Sequence, residues 1–447
     1  MKRAAATTSL KSVGQVVKKP RVGKAIVPAI KPPECHPTPS IRHNDDEDIW
    51  PVPRAKMEAA RSFIQDCVKA GQRTLIVPDK DADGLSSGAI LRRTLVLLGL
   101  SPSLISAYLL EKGQTVHDDS ARKAMTGLNP EFIFVLDQGS RPSGPLVDHE
   151  HRAVVIDHHH ALENDHPRGS LHVSACGYPP VATSSLLTYE ICRGLHDKVQ
   201  EECDWLCVMG THGDLGNSVK WEPPFPDMGA TFKKYTRKAL NGAVSLINAP
   251  RRTASYNVPG AWDALLAAVS PKELLRSEAL LAARAEVNAE VERCTHTAPK
   301  FSADARIAVF RISSAAQIHP VIATRWAGHL SSPKLEVVLV ANEGYLPGMV
   351  NFSCRIPRCA RGREPPVNII EILREVAGRA EDPTLLERLG DSFARGHKEA
   401  SGGIVRRAEF DEFIAVLDIG SRGHTAEKAQ KEPAKQANNI LNYFGKS

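Results

Sequence analysis

The sequence predicts an α/β architecture in two lobes: a parallel-sheet lobe, then a smaller α/β lobe, joined by a long helix. Three observations carry this prediction. Short apolar runs of strand type alternate with helix-type stretches through roughly the first 260 residues, the pattern of a parallel sheet covered on both faces. Acidic or imidazole groups stand directly after three of those runs, and such sheets bind ligands beyond the carboxyl ends of their strands. A stretch rich in Leu, Ala, Glu and Arg, Glu273 to Glu292, separates this region from a second set of strand-type runs.

The 447 residues suffice for two or three domains with a substantial core. An apolar share of 42% and a charged share of 24% are those of an ordinary globular chain. Aromatic residues make up only 5%, which argues against an extended base-stacking platform. The net charge of +6 permits an anionic partner without demanding one. Nine cysteines at irregular spacing, with no CxxC pair and no secretory apolar segment at the start, suggest reduced thiols in an intracellular protein. Cys203 and Cys207 share a helical face but lack a second ligand pair, so no zinc site is expected. No apolar run is long enough to span a membrane.

Residues 1–48 read as a disordered basic tail, with Glu34 the only acid before Asp45. Lys2-Arg3 and Lys18-Lys19-Pro20-Arg21 read as a nuclear-import signal, with a mitochondrial transit peptide as the alternative. A helix is expected from Pro53 to Ala70, then a strand Thr74–Pro78, the cluster Asp79-Lys80-Asp81-Ala82-Asp83-Gly84, and a helix Leu85–Leu98. Strands are expected near Leu104–Leu109, Phe132–Leu136 and Ala153–Ile156. Asp137 follows the second of these and Asp157-His158-His159 the third. After a helical stretch Glu201–Met209, Gly210-Thr211-His212-Gly213-Asp214-Leu215-Gly216 reads as a glycine-rich turn. Residues 262–296 read as helical, with a fresh start at Pro271. In the second lobe, Ile307–Ile312 and Leu335–Val340 are expected strands, Asn368–Val376 a helix, Gly396–Gly403 a glycine turn and Glu409–Leu417 a final strand. The domain limits expected are 49–262, a connecting helix over 263–300, a second domain over 301–420, and a flexible tail over 421–447.

Carboxylates and imidazoles converging at one sheet edge suit hard or borderline divalent metals, and an imidazole shifts preference from Mg²⁺ toward Mn²⁺. Two such ions about 4 Å apart clamp a phosphate and activate water. Four or five unpaired acids at one point would repel strongly, and a bound dication offsets that repulsion. Each acid alone reads as a helix cap or a turn residue. Their joint occurrence at successive element ends reads as a metal site.

These four motifs, in this order, resemble the DHH phosphoesterase superfamily. Gly396-His397 with Ala400-Ser401-Gly402 resembles its DHHA1-type substrate-binding domain, and the general likeness is to RecJ-like exonucleases and the oligonucleotide phosphodiesterases called nanoRNases. The motifs cover roughly residues 73 to 420. The resemblance implies two Mn²⁺ ions, with Mg²⁺ as an alternative. Asp81 and Asp83 would each hold one, Asp137 would bridge them, and His158 and Asp214 would complete the second site. Asp79 would be a ligand or a support. His159 would face the scissile phosphate and Asp157 would orient a histidine. Thr183 and Ser184 would contact phosphate or begin a helix. Arg355, Gly396, His397 and Ser401 would hold a neighbouring phosphate or terminal nucleotide. Asn248-Ala249-Pro250-Arg251-Arg252 resembles an Asn-Ala turn of RecJ proteins, with its arginines equally readable as solvated.

The implied activity is hydrolysis of single-stranded nucleic acid or short oligonucleotides. A small-substrate phosphatase, a cyclic-dinucleotide phosphodiesterase and a non-catalytic replication scaffold are the alternatives. The sequence departs from the family at Arg395, where a glycine run is usual, and has no segment for the extra oligonucleotide-binding domain of large RecJ proteins. In the tail, Ile440, Tyr443 and Phe444 have the spacing of a sliding-clamp-binding box with its glutamine displaced, and the alternative is a terminal helix packed on the second lobe.

Overall fold

The computed structural model describes residues 49–419. The basic signal in residues 1–48 and the clamp-type box at Ile440, Tyr443 and Phe444 lie outside the described residues. Among the described residues, no helix is long and apolar enough to cross a membrane.

The first lobe begins with α1 (Arg54–Ala70), which closes at Gly71 with a left-handed φ of 59°. Next come β1 (Thr74–Pro78), α2 (Ala82–Leu97), β2 (Ile105–Ala107), α3 (Asp119–Gly127), β3 (Phe132–Leu136), β4 (Arg152–Asp157) and β5 (Ser170–Ser174). The five strands form one parallel sheet in the order β2-β1-β3-β4-β5. Every residue of β1 and β3 is buried, as a strand covered on both faces requires. Alternate side chains part to opposite layers. Ile76, Phe134 and Ile156 join the core under α1 and α2, whereas Leu75, Val77, Ile133, Val135 and Val155 pack toward α3. Five helices follow: α4 (Ser184–Arg193), α5 (Lys198–Leu215), α6 (Gly229–Tyr235), α7 (Arg237–Ile247) and α8 (Val258–Ala267).

The expected connecting region is not one helix. Short α9 (Pro271–Leu274) precedes α10 (Glu278–Thr295), which Ser277 starts by accepting the Leu280 N–H. The second lobe contains β6 (Lys300–Phe301), β7 (Ile307–Ile312), α11 (His319–His329), β8 (Val337–Asn342), β9 (Met349–Arg355), α12 (Ile369–Ala377), α13 (Leu385–Arg388), β10 (Arg395–His397), β11 (Ala400–Arg406) and α14 (Arg407–Val416). Its sheet runs β10-β11-β9-β8-β7-β6, with only β7 and β8 parallel.

Three expectations are corrected. Glu409–Leu417 is not a strand but most of helix α14: Phe410, Phe413, Ile414 and Leu417 are buried at the 3–4–7 spacing of one helical face. The Gly396–Gly403 turn is a hairpin of β10 and β11. A Cβ on Gly402 would lie 2.4 Å from Phe352 O, so this glycine lets β11 pack against β9. The Gly210–Gly216 turn is the last part of α5, and the chain leaves the helix only at Gly216, where φ is 76°. Its glycines serve close packing: a Cβ on Gly210 would lie 2.1 Å from Ser185 Oγ and 2.8 Å from Asp83 Oδ1, and one on Gly213 would touch the Ala82 side chain at 3.1 Å.

Candidate metal centre

Each acid of the cluster is placed by the end of an element. Helix α2 starts three residues earlier than its apolar pattern suggests, because Asp81 caps it by accepting the Asp83 and Gly84 N–H groups at 3.0 and 3.3 Å. Gly84 is obligatory, since a Cβ there would sit 2.6 Å from Asp79 O. That close approach folds the Asp79–Asp83 segment back over the strand end. Asp83 has no solvent exposure and lies at the N-terminus of α4. Its carboxylate accepts Ser184 N at 2.8 Å, Ser185 N at 3.0 Å and Ser185 Oγ at 2.5 Å. Asp137 leaves β3 with a φ of 62° while its N–H donates to Ile156 O, a left-handed conformation that a short polar side chain tolerates. Ser184 Oγ donates to Asp137 Oδ1 at 2.9 Å.

Asp157 ends β4 and is wholly buried. Its Oδ1 accepts His158 N at 2.7 Å, His159 N at 3.2 Å and His159 Nδ1 at 2.8 Å. His159 is therefore oriented by its neighbour and keeps Nε2 for another partner, with its side chain 53% exposed. His158 Nε2 is 3.0 Å from Asp214 Oδ2, 3.2 Å from Asp137 Oδ1 and 3.9 Å from Asp83 Oδ2.

Those distances decide whether the residues fit a metal. His158 Nε2 is buried, and no carboxylate lies where a ring N–H would reach it in hydrogen-bond geometry. Burial works against a charged ring there, but Asp137 and Asp214 outweigh it and hold the imidazole well above its usual range. The spot thus calls for positive charge, and a dication meets the nitrogen lone pair and the three carboxylates together, which one misaligned proton does not. Asp83, Asp137, His158 and Asp214 form one grouping and Asp79, Asp81 and Asp137 another, and His159 joins Asp137 and His158 in a third, each with its ligand atoms within 4.8 Å. They share Asp137. Burial, then Asp83, holds the Asp137 carboxyl well above the usual carboxylate range. Burial, then Asp214, raises Asp83 to about 6 against the pull of His158. Burial also works against ionised Asp81, but Arg251, the Gly84 N–H and Lys80 outweigh it and leave the group lowered. So dense an acid cluster is short of positive charge, and divalent cations supply it.

The substrate-side expectations fare differently. Thr183 and Ser184 are fully buried and begin α4, with Thr183 as its cap, so they lie behind the carboxylates. Ser401 is also buried, its hydroxyl spent on Arg395 O at 2.8 Å. Gly396, with φ 106°, bends the β10–β11 hairpin, where His397 pairs with Ala400. Arg355 ends β9 and donates to Ser353 Oγ and Cys354 O.

The arginines of the Asn-Ala turn are half-buried rather than free in solvent. Asn248 Oδ1 accepts both Ala82 N at 3.2 Å and Arg251 Nε at 3.1 Å. Arg251 also approaches Asp81 Oδ2 at 3.7 Å and Gln317 Oε1 of the second lobe at 3.4 Å. Burial, then Arg251, brings Arg252 down to about 9. His319, unremarked in the sequence, is 4% exposed with no partner for Nδ1; burial, then Arg355 and Arg252, holds it at about 3. A band of cationic and neutral imidazole groups thus joins the two lobes beside Asp81.

Comparison with solved structures shows which fold carries this geometry. The chain superposes on RecJ of Thermus thermophilus, solved in complex with Mn²⁺, with a TM-score of 0.55 and 19% identity over 83% of this chain and 55% of that one. It also superposes on the DHH domain of a member of a family of ribosomal proteins, with a TM-score of 0.58 and 15% identity over 82% of this chain and 91% of that one. This chain has the DHH fold. It spans little more than half the length of the Thermus RecJ. No family model and no curated protein matches it.

Proposed function

We propose that the chain is a metal-dependent phosphodiesterase acting on single-stranded nucleic acid or short oligonucleotides, with Mn²⁺ the favoured ion and Mg²⁺ the alternative. The observation that carries the reading is the pair of ligand groupings sharing Asp137, with the orphaned His158 Nε2 in one of them. Asp79, Asp81 and Asp137 would hold one ion, and Asp83, Asp137, His158 and Asp214 the other. Divalent cations held there would supply Lewis-acid polarisation of a phosphate and a lowered pKa for bound water. The chain's own residues do the rest. Asp157 fixes the direction of His159 and, against burial, holds its imidazole above the usual range, so that the protonated ring offers its Nε2–H to a phosphate oxygen. Ser184 and Ser185 brace the buried carboxylates so that they need not rearrange on substrate binding. Arg252 and Arg355 lie on the side where a neighbouring phosphate of a chain substrate would sit, with His397 on the adjoining hairpin. RecJ carries the substrate class by analogy of fold.

The test is incubation of the purified protein with Mn²⁺ and end-labelled single-stranded DNA, RNA and dinucleotides, with Asp137→Ala as control. Metal-dependent release of mononucleotides from at least one chain substrate, absent in the variant, is expected. Equal cleavage by the variant, or none by the unaltered protein, would refute the reading.

A further inference from the structure

The loop after Asp137 reaches the Asp157–His159 pair from behind. Three donors crowd onto Asp157 Oδ1, whereas Oδ2 receives the Ser140 N–H at 3.3 Å, and against burial, after His159, the Ser140 side chain also helps hold the carboxyl below its usual range. A carboxylate held at only one oxygen swings about its Cβ–Cγ bond, and His159 Nδ1 would then lose its aligned acceptor. Ser140 is held by the turn in which the Arg141 N–H donates to Gly139 O at 2.8 Å, and its side chain adds a second hold. Ser140 Oγ is 3.1 Å from Nε2 of His172, on β5 opposite Val155.

Burial, then His166 and Lys56, holds the His172 imidazole low, at about 4, so the ring is neutral at ordinary pH and Nε2 shares one hydrogen bond with the Ser140 hydroxyl, the donor being set by the ring tautomer. The rest of the loop is anchored independently. Gly139, at φ 98°, presses on the sheet, where a Cβ would lie 3.0 Å from Val135 Cγ1 and 3.2 Å from Val155 Cγ1. Ser143 O accepts Arg168 N at 3.1 Å, and Ser143 Oγ contacts His117 Nδ1 at 3.0 Å. Losing the Ser140–His172 contact would therefore loosen one N–H donor rather than unfold the segment.

We propose that Ser140 and His172 are positioning residues: their hydrogen bond aims the Ser140 N–H at Asp157 Oδ2 and so fixes the carboxylate that orients His159. The inference rests on the reading of His159 as the group that meets the phosphate. It goes beyond that reading by assigning a function to a serine and a histidine outside both ligand groupings.

Ser140→Ala, His172→Phe, the double variant and His172→Gln, whose amide nitrogen and oxygen reach the place of Nε2, separate the alternatives. With a dinucleotide substrate and saturating Mn²⁺, Ser140→Ala and His172→Phe are each expected to lower kcat about tenfold. KM and the Mn²⁺ concentration for half-activation should stay near those of the unaltered protein. The double variant should be no slower than either single one, and His172→Gln should recover most of the rate. A second readout needs no turnover: the downfield Nδ1 proton of His159, identified by its loss in His159→Gln, should vanish or broaden in Ser140→Ala and His172→Phe. Unchanged kcat with an unchanged proton signal would overturn the proposal. So would additive losses, failure of glutamine to rescue, or a loss appearing in Mn²⁺ half-activation, which would make the contact an anchor for Asp137. An inactive unaltered protein with the expected proton signals would instead count against the proposed function and leave the positioning role supported.

Discussion

Asp137 combines a left-handed backbone, near-complete burial and a place in both ligand groupings. Its neighbours are carboxylates, so without cations its charge is opposed by burial and by Asp83. Replacing it by asparagine keeps a side chain that tolerates positive φ and removes one charge. Asp137→Asn is therefore expected to raise the melting temperature of the metal-free protein, by about 2–4 °C for each 1 kcal/mol of repulsion relieved. It should also abolish the stabilisation that Mn²⁺ gives and lower kcat by about a thousandfold. Differential scanning calorimetry in chelator and in Mn²⁺ checks both effects on stability. A pH dependence follows from Asp83. Its folded-state carboxyl titrates at about 6, above the ordinary value of 3.8, so between those values the folded protein binds more protons than the unfolded. Stability of the metal-free protein should fall as pH rises from about 4 to about 6, and saturating Mn²⁺ should remove that fall. A flat or rising metal-free profile across that window would contradict the assignment.

The helices behind the acids explain why some of the site was legible in sequence and some was not. Asp79 to Asp83, Asp137 and Asp157 could be placed because each follows a short apolar run, and a parallel sheet delivers all such positions to one edge. Gly210 and Gly213 were readable only as a turn, because glycine signals backbone freedom locally while here it answers to Ser185, Asp83 and Ala82 on other helices. The same holds in the second lobe, where Gly402 answers to Phe352 across the sheet and the helical face of α14 lies within an apolar run that also suits a strand. Gly210→Ala sharpens the point. In an exposed helix that change stabilises by about 1 kcal/mol. Here the added methyl collides with Ser185 and Asp83, so a net destabilisation of about 1–3 kcal/mol is expected from overpacking, measurable by urea denaturation. A more stable variant would mean that α5 does not press on α4 as described.

Contacts between the lobes were the least legible feature, since nothing in a local sequence window pairs residues so far apart. Gln317 N donates to Arg252 O at 2.9 Å, Lys112 Nζ donates to Ala315 O at 2.7 Å, and the Lys112 ammonium lies 4.2 Å from the centre of the Tyr345 ring. These contacts carry Arg355 and His319 to the side of Arg252 and Asp81. If that band meets a second phosphate of a chain substrate, Arg355→Ala should raise KM for an oligonucleotide about tenfold. Hydrolysis of bis(p-nitrophenyl) phosphate, which has one phosphate, should be little changed. Equal effects on both substrates would place Arg355 in the fold rather than at the substrate. In the proposed function the two lobes would divide the work, with charge neutralisation at the sheet edge of the first and substrate length read by the second. The first of these roles is the central claim, and the number of Mn²⁺ ions bound per chain, measured by isothermal titration calorimetry on metal-stripped protein, tests it most directly. Two ions for the unaltered protein and at most one for Asp137→Ala are predicted; a single ion or none in the unaltered protein, or two retained in the variant, would contradict it.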